Sequence, residues 1–276
     1  AVILLAFCFQ ACIVLGSLYD EDAIVVEGAG ASFPVYLYDQ AIFAYLSTHE
    51  EEDIDLSKVA IEYIGKGSGK GKCRIMDHST KCDEGDETHP ILVDFAGSDS
   101  LLKEENYEEY PDLQMYPTVA GAVAPIYNLD HVLDKDSEEL VLTMKIIAEI
   151  FTFNITSWAD QQILDENPGT IAAKLANMTD PTIEVAVRKT YSGTTEIFTM
   201  ALAHECPSFA AQVGGSSLPD WVDSPHLHKE YPWQMGAYVD QTPGSIGYLV
   251  LEEADLLGLS YAQIHKANDV VVKASA

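Results

Sequence analysis

The chain carries the sequence GAGASFP at residues 28–34, between an apolar run at residues 23–27 and a stretch of helical spacing at residues 34–46. The apolar run predicts a β-strand, and the stretch that follows predicts an amphipathic helix. Pro34 suits the first position of that helix, where the amide hydrogen that proline lacks would have no helical partner. A strand, a glycine-rich turn and a helix in this order predict the opening unit of an α/β fold.

The same alternation of strand and helix patterns continues along the chain. Strands are predicted at residues 59–64, 91–95, 182–187 and 245–251, and residues 122–127 form a further short apolar run. Helices are predicted at residues 140–151, 158–164 and 194–203. Strands interleaved with helices favour an α/β fold with parallel or mixed sheets. The sequence shows no internal repeat.

Composition limits the classes of partner. The chain has 276 residues, 47% of them hydrophobic, which is enough for one large domain or two modest ones. Its formal net charge is −29, from 44 acidic and 15 basic residues. Nucleic-acid binding is disfavoured, because a phosphate backbone requires clustered Lys and Arg. A small anion remains compatible with this charge, because salt screens charges beyond about 8 Å but leaves short hydrogen bonds intact.

The first residues have the character of an export signal. Residues 2–15 are apolar except for Gln10, and Gly16 and Ser17 follow. A stretch of this length is too short to span a bilayer, which takes about 20 residues, and it matches the hydrophobic region of a signal peptide. A buried helix is the alternative. We expect residues 1–20 to be signal-peptide-like and the protein to be exported, to a periplasmic, extracellular or cell-surface location.

Cysteine use agrees with export. Cys73 and Cys82 lie in one polar stretch, read as a long loop over residues 70–90, and could form a disulfide in an oxidising compartment. Metal binding is the rival interpretation, but no second Cys/His pair has zinc-like spacing. Cys206 is interpreted as a small core hydrophobe. Glycosylation sequons begin at Asn154 and Asn177 and matter only in a eukaryotic secretory pathway.

Four short segments carry the groups that could bind a small tetrahedral anion. They lie at residues 28–34, 65–69, 94–99 and 188–195. Three are Gly/Ser/Thr turns rich in backbone N–H groups, one segment adds an arginine, and one adds an aspartate. Each is weak evidence alone, because glycine-rich turns are common. Together they match what a partly protonated phosphate needs, and they indicate a binding protein rather than a catalyst.

In order, spacing and flanking residues, these segments resemble the PstS family, the phosphate-binding proteins of bacterial phosphate ABC transporters. The similarity runs from about residue 26 to about residue 251 and includes further matches at 116–123, 150–158 and 241–248. The resemblance implies a two-lobed, type II periplasmic-binding-protein-like fold with a ligand cleft. Lobe 1 would comprise residues 22–118 and 250–276, and lobe 2 residues 119–249. Because family members continue with further helices, we expect lobe 1 to be incomplete at its C-terminal end.

The resemblance also implies a set of phosphate-binding residues: Ser32, Phe33, Ser68, Asp99, Arg188, Ser192, Gly193 and Thr194. Arg188 would supply the charged contact, and Asp99 would accept a proton that phosphate keeps and sulfate lacks. For Ser32 the alternative role is the cap of the helix that follows. The chain departs from the family at Gly69, where serine is usual, and at Thr190, where the family has aspartate. The second departure predicts a less restrained Arg188.

The function predicted from these features is binding of inorganic phosphate, or of arsenate, which has the same shape. An exported solute-binding or receptor-like protein of this kind would pass its ligand to a membrane permease or act within a larger parent chain. We expect no cofactor, no metal, no nucleic acid and no catalysis. One alternative is a phosphatase or hydrolase, although Ser192 lacks the G-x-S-x-G pattern. The other is a degenerate adhesion or structural module that has lost its ligand.

Overall fold

The computed structural model describes residues 24–48, 58–77, 82, 93–221, 227–266 and 268–275. The signal-like segment predicted at residues 1–20 lies outside these ranges. The chain divides into two compact units, the first formed by Ala1–Lys66 and Lys70–Gly97, the second by Gly67–Gly69 and Ser98–Ala276. These units differ from the predicted lobes, because residues 98–118 and 250–276 cluster with the second unit. The assignment of lobes stays a prediction.

The first unit contains a parallel three-stranded sheet in the order β2-β1-β3. Its elements are β1 (Ile24–Gly30), α1 (Val35–Thr48), β2 (Val59–Gly65), α2 (Ser68–Asp77, whose first two residues belong to the second unit) and β3 (Phe95–Gly97). The predicted strands and first helix therefore form close to their expected positions. The strand predicted at residues 91–95 is described only from residue 93, and β3 begins at its last residue.

The helix α2 was missed, because residues 70–90 were interpreted as a loop. Gly71 explains how a helix fits here. A Cβ atom at Gly71 would come within 2.6 Å of the Cα atom of Gly30 and 2.9 Å of the carbonyl oxygen of Gly97. Only glycine allows the helix to lie this close to the two strands. Cys73 therefore lies in a helix, and it forms a disulfide with Cys82 across a Cα–Cα distance of 5.6 Å.

The second unit is larger and has two sheets. Its elements are α3 (Glu104–Glu109), β4 (Val123–Tyr127), β5 (Val141–Thr143), α4 (Met144–Phe151), α5 (Gln161–Glu166), α6 (Thr170–Ala176), β6 (Glu184–Arg188), α7 (Gly193–Glu205), α8 (Pro207–Gln212), β7 (Leu227–Lys229), α9 (Pro232–Gln241), β8 (Ser245–Val250), α10 (Leu251–Leu257), β9 (Ser260–Tyr261), β10 (Gln263–His265) and β11 (Val271–Val272). Five strands form a mixed sheet in the order β7-β6-β8-β4-β9, and three form a sheet in the order β11-β10-β5. The pairing of β9 with β4 and of β10 with β5 places the last residues in this unit.

Two predicted helices begin later than expected. In the helix predicted at residues 140–151, residues 141–143 form β5 instead, because they pair with β10, which lies more than a hundred residues away in sequence. Thr143 then caps α4 by accepting a hydrogen bond from the backbone N–H of Ile146 at 3.1 Å. In the second helix, Trp158 precedes the first turn, and its indole N–H donates to the carbonyl oxygen of Gly244 at 2.9 Å.

The aromatic core of the second unit joins α7 to β8. The ring of Phe198 stacks on Tyr248 with centroids 4.3 Å apart, and Phe151 contacts Phe198 edge to face at 5.0 Å. Cys206 is buried beside this core, as predicted. Packing of α7 on β8 holds the first turn of the helix close to the end of the strand. None of the helices in the described ranges is both long and apolar enough to cross a membrane.

Replacing Cys73 and Cys82 with serine is expected to lower the free energy of unfolding by about 2–3 kcal/mol, because the disulfide restricts the unfolded chain. Urea denaturation under oxidising conditions measures the change. Reductant should destabilise the wild type by a similar amount and leave the double variant unaffected. Equal stability of the two proteins without reductant would contradict a formed disulfide.

His265 of β10 contacts Glu166 at the end of α5, with 2.6 Å between Nδ1 and Oε2. The hydrogen bond with Glu166 raises the pKa of His265 above its ordinary value. A raised folded pKa adds stability below the ordinary value of about 6.5, and the contribution is lost as pH rises through the raised value. His265→Asn should therefore lower the melting temperature more at pH 6 than at pH 9. Glu166→Gln removes the negative charge of the partner and should show the same pH dependence, whereas an equal loss at both pH values would contradict the pairing.

Candidate functional site

Arg188, at the end of β6, is the buried cation of the second unit, with 6% of its surface exposed. Its guanidinium donates through Nε to the carbonyl oxygen of Glu230 at 3.0 Å and through Nη2 to Oγ1 of Thr190 at 3.0 Å. Nη1 lies 3.4 Å from Oγ of Ser192. All three partners are neutral oxygens, and no direct ion pair joins Arg188 to a carboxylate within the described ranges. A buried guanidinium with neutral partners keeps its charge available for an anion.

Thr190 orients Arg188 through a hydrogen bond to its neutral hydroxyl. Its hydroxyl donates to the carbonyl oxygen of Glu230 at 2.7 Å and accepts from Arg188. The backbone N–H of Arg188 also donates to the hydroxyl of Tyr248 at 3.2 Å. That Arg188 is less restrained than an arginine paired with aspartate stays a prediction. Threonine supplies orientation without the negative charge that aspartate would bring.

Helix α7 begins at Gly193, a short turn after this arginine in the sequence. Ser192 is its cap residue, and its Oγ accepts from the backbone N–H of Thr195 at 3.2 Å. Thr195 in turn shares a 2.8 Å hydrogen bond with the hydroxyl of Tyr248. The N–H groups of a first helical turn have no partners within the helix and carry a partial positive charge. Gly193 and Thr194 hold two of these groups.

Asp99 and Ser68 meet at the same helix terminus. The backbone N–H of Asp99 donates to Oγ of Ser68 at 3.1 Å, and Oγ1 of Thr194 donates to Oδ2 of Asp99 at 3.3 Å. Gly193 makes this approach possible. A Cβ atom there would lie 2.2 Å from Oγ of Ser68 and 2.9 Å from Oδ2 of Asp99. The structure thus brings together six of the eight predicted residues, all in the second unit: Ser68, Asp99, Arg188, Ser192, Gly193 and Thr194.

Gly69, the other departure from the family pattern, has a steric cause. A Cβ atom at Gly69 would lie 2.8 Å from the Cβ atom of Tyr191, and one at Gly67 would lie 2.5 Å from the carbonyl oxygen of the same tyrosine. Gly67 also has a φ of 96°. The turn that carries Ser68 therefore needs glycine on both sides where Tyr191 packs against it.

The other two predicted residues, Ser32 and Phe33, lie in the first unit between β1 and α1. Both are half-buried, and the carbonyl oxygen of Ser32 accepts from the backbone N–H of Val35 at 3.3 Å. The helix begins at Val35, one residue later than predicted. A role for Ser32 and Phe33 in anion binding stays a prediction.

Burial and neighbouring charges change the pKa values of the ionisable groups around Arg188. Burial raises the pKa of Asp99, and the hydrogen bonds from Thr194 and Ser68 and the charge of Arg188 oppose that rise. Burial lowers the pKa of Arg188. Glu253 of α10 also acts on Arg188, and burial raises the pKa of Glu253 to about 7. Glu253 was not predicted from the sequence. Its position soon after the apolar strand pattern at residues 245–251 was the available signal.

Within the described ranges, no group of three or more His, Cys, Asp and Glu side chains has a geometry that could hold a metal ion. The chemistry available in this cluster is hydrogen bonding and charge. It combines one guanidinium, the first turn of a helix, hydroxyl groups and one carboxyl group with a raised pKa. Such a set suits an oxyanion that carries at least one proton.

Comparison with known proteins agrees with the fold. A family model described as a PBP superfamily domain matches residues 21–275. The phosphate-binding protein PstS of Xylella fastidiosa (strain 9a5c) is 27% identical over 254 residues, which cover 92% of this chain and 61% of the relative. The phosphate-binding protein PstS of Methanocaldococcus jannaschii is 30% identical over 259 residues, with 91% and 59% covered. The chain spans less than two thirds of the length of these relatives.

Some relatives carry enzyme names, among them two putative serine/threonine-protein kinase/receptors of Acanthamoeba polyphaga mimivirus, which match 46% of this chain. Alkaline phosphatase L of Pseudomonas aeruginosa is 26% identical over 273 residues, covering 92% of this chain and 63% of the relative. Among solved structures, the ancestral soluble variant of the human phosphate binding protein superposes with a TM-score of 0.61 at 22% identity. That match covers 92% of this chain and 65% of the other. It supports the periplasmic-binding-protein-like α/β fold.

Gly193→Ala is expected to lower the free energy of unfolding by about 1–3 kcal/mol, because the new methyl group would overlap Oγ of Ser68 and the side chain of Asp99. Thermal or urea denaturation measures the loss. The double variant Ser68→Ala/Gly193→Ala removes one of the two overlaps and should recover part of the stability. Wild-type stability in the single variant would contradict the close approach.

Proposed function

We propose that this chain, which belongs to the PBP superfamily, binds inorganic phosphate at the cluster formed by Arg188, Asp99 and the first turn of α7. The observation that carries the proposal is the buried guanidinium of Arg188, which has three neutral oxygen partners and faces a helix terminus. A buried positive charge without a carboxylate partner is stabilised by a bound anion. The PstS names of the relatives support phosphate as that anion.

Asp99 supports phosphate over sulfate. A carboxylate beside an anion is repulsive unless a proton lies between the two. Near neutral pH phosphate keeps at least one proton and sulfate keeps none. Burial already raises the pKa of Asp99, so an ionised Asp99 gains from accepting a hydrogen bond. Arsenate has the same shape and protonation and would bind as phosphate does.

We propose binding without catalysis. A nucleophilic serine needs a base within hydrogen-bond reach. The partners of Ser192 are the guanidinium of Arg188 and the backbone N–H of Thr195, and both are donors. These contacts give Ser192 the role of a cap and a positioning group. The phosphatase alternative rests on the name of one relative.

The wider role that fits this proposal is that of an exported solute-binding or receptor-like protein. It would act at a periplasmic, extracellular or cell-surface location. A membrane permease or a larger parent chain would receive the bound state. The disulfide between Cys73 and Cys82 supports an oxidising compartment.

Isothermal titration calorimetry with phosphate and then sulfate, at neutral pH, tests the proposal. Arg188→Ala should weaken phosphate binding by about 100-fold or more, because it removes charge-assisted hydrogen bonds to the anion. Lys189→Ala is the matched control. It removes the same charge one residue away, at an exposed side chain paired with Glu230, and should bind as the wild type does.

Asp99→Asn should reduce the preference for phosphate over sulfate by about tenfold, because an amide no longer demands a protonated ligand. Equal binding of both anions by the wild type would overturn the role of Asp99. No heat from either anion, with the protein shown to be folded, would overturn phosphate binding and favour a module that has lost its ligand.

A further inference from the structure

Glu253 lies at the same edge of the sheet as Arg188. Strands β6 and β8 run parallel, with Val185 opposite Ile246, so Arg188 at the end of β6 is level with the end of β8. Helix α10 starts directly after β8 and carries Glu252 and Glu253 in its first turn. Glu252 is exposed, whereas Glu253 is half-buried. Glu253 interacts electrostatically with Arg188, as Asp99 does.

The charges at this edge do not balance when both carboxyl groups are ionised. Arg188 contributes one positive charge, and its hydrogen-bond partners are neutral. Asp99 and Glu253 would contribute two negative charges. A phosphate anion would then enter a region that is already net negative. Like charges repel more strongly in a partly buried site than in water, and protonation of one carboxyl group reduces the repulsion.

Among the titratable groups near α10, Glu253 is the one expected to change its charge near neutral pH. The titratable side chains of the elements packed against α10 are Tyr127 on β4, Tyr238 and Asp240 on α9, and Tyr248 on β8. Tyr127 and Tyr248 have pKa values of about 12 and stay neutral. Burial, Asp99 and Glu252 raise the pKa of Glu253 to about 7, against the opposing effect of Arg188. A bound anion adds another negative charge and favours the protonated form further.

We propose that Glu253 is a proton-accepting carboxyl group of the anion site, which takes up a proton from solvent when phosphate binds beside Arg188. Phosphate binding would then weaken as the pH rises and Glu253 ionises. The protein would hold its ligand in acidic surroundings and release it more readily in alkaline ones. This inference rests on the proposed function, because it assigns a role at the same site.

Calorimetric titration with phosphate at pH 7, in buffers of different ionisation enthalpy, counts the protons bound with the anion. Glu253→Gln is expected to bind about half a proton fewer than the wild type, because Glu253 is about half ionised at that pH. Glu253→Asp keeps a titrating carboxyl group and should retain the uptake. Glu252→Gln removes an exposed charge from the same helical turn, the smallest of the causes that raise the pKa of Glu253, and should retain most of the uptake.

The pH dependence of affinity gives a second readout. Between pH 6 and pH 8.5, the affinity of the wild type should fall about tenfold more than that of Glu253→Gln, because only the wild type gains a negative charge beside the anion. The titration of free phosphate is common to both proteins and cancels in this comparison. A merely structural role for Glu253 would change affinity at all pH values alike.

The outcomes separate this inference from the proposed function. If Glu253→Gln binds phosphate at pH 6 as the wild type does, with the same proton count and the same pH profile, the role of Glu253 is overturned. The proposed function is then unaffected. No phosphate binding by the wild type would overturn both. If Glu253→Gln does not fold, the carboxyl carbon of Glu253 can be titrated by NMR in the wild type. Its midpoint should rise when phosphate is added, and an unchanged midpoint would overturn the inference.

Discussion

The buried guanidinium of Arg188 is the constraint on which the arrangement of the candidate site depends. Removing a charge from water is costly unless hydrogen bonds replace the lost hydration. The end of β6 therefore lies where the carbonyl oxygen of Glu230, the hydroxyl of Thr190 and the cap of α7 can all reach it. The hydroxyl of Tyr248 ties the backbone of the same residue to β8. These contacts orient the cation without neutralising it, which is the condition for binding an anion.

Close backbone packing brings the remaining groups to that cation. Gly193 lets the start of α7 approach Ser68 and Asp99, and Gly67 and Gly69 let the turn around Ser68 pass beneath Tyr191. Any side chain at these glycines would overlap a neighbour, so the cluster depends on their lack of a Cβ atom. Close packing therefore requires the glycines of these segments, whether or not a ligand binds. Their N–H groups become available to a ligand as a consequence of that packing.

Local patterns predicted β1, β2, β6 and β8 and the helix that begins near Ser192, because apolar periodicity and capping depend on neighbours along the chain. They failed where distant partners decide the structure. Residues 141–143 were predicted as helix and form β5 because β10 pairs with them. The start of the predicted loop at residues 70–90 is a helix, because Gly71 packs against two strands. The resemblance to the PstS family indicated which residues would gather, and six of them lie together in one unit.

By itself, the sequence determined the alternation of strands and helices, the pair of cysteines close enough to join, and the presence of an arginine, an aspartate and helix-capping hydroxyls at the ends of strands. Only the tertiary structure decided which charged groups interact electrostatically. Glu253 is more than sixty residues from Arg188, and its importance comes from the parallel pairing of β6 with β8. Electrostatic coupling depends on distance through space and on burial. Neither quantity can be read from the order of residues along the chain.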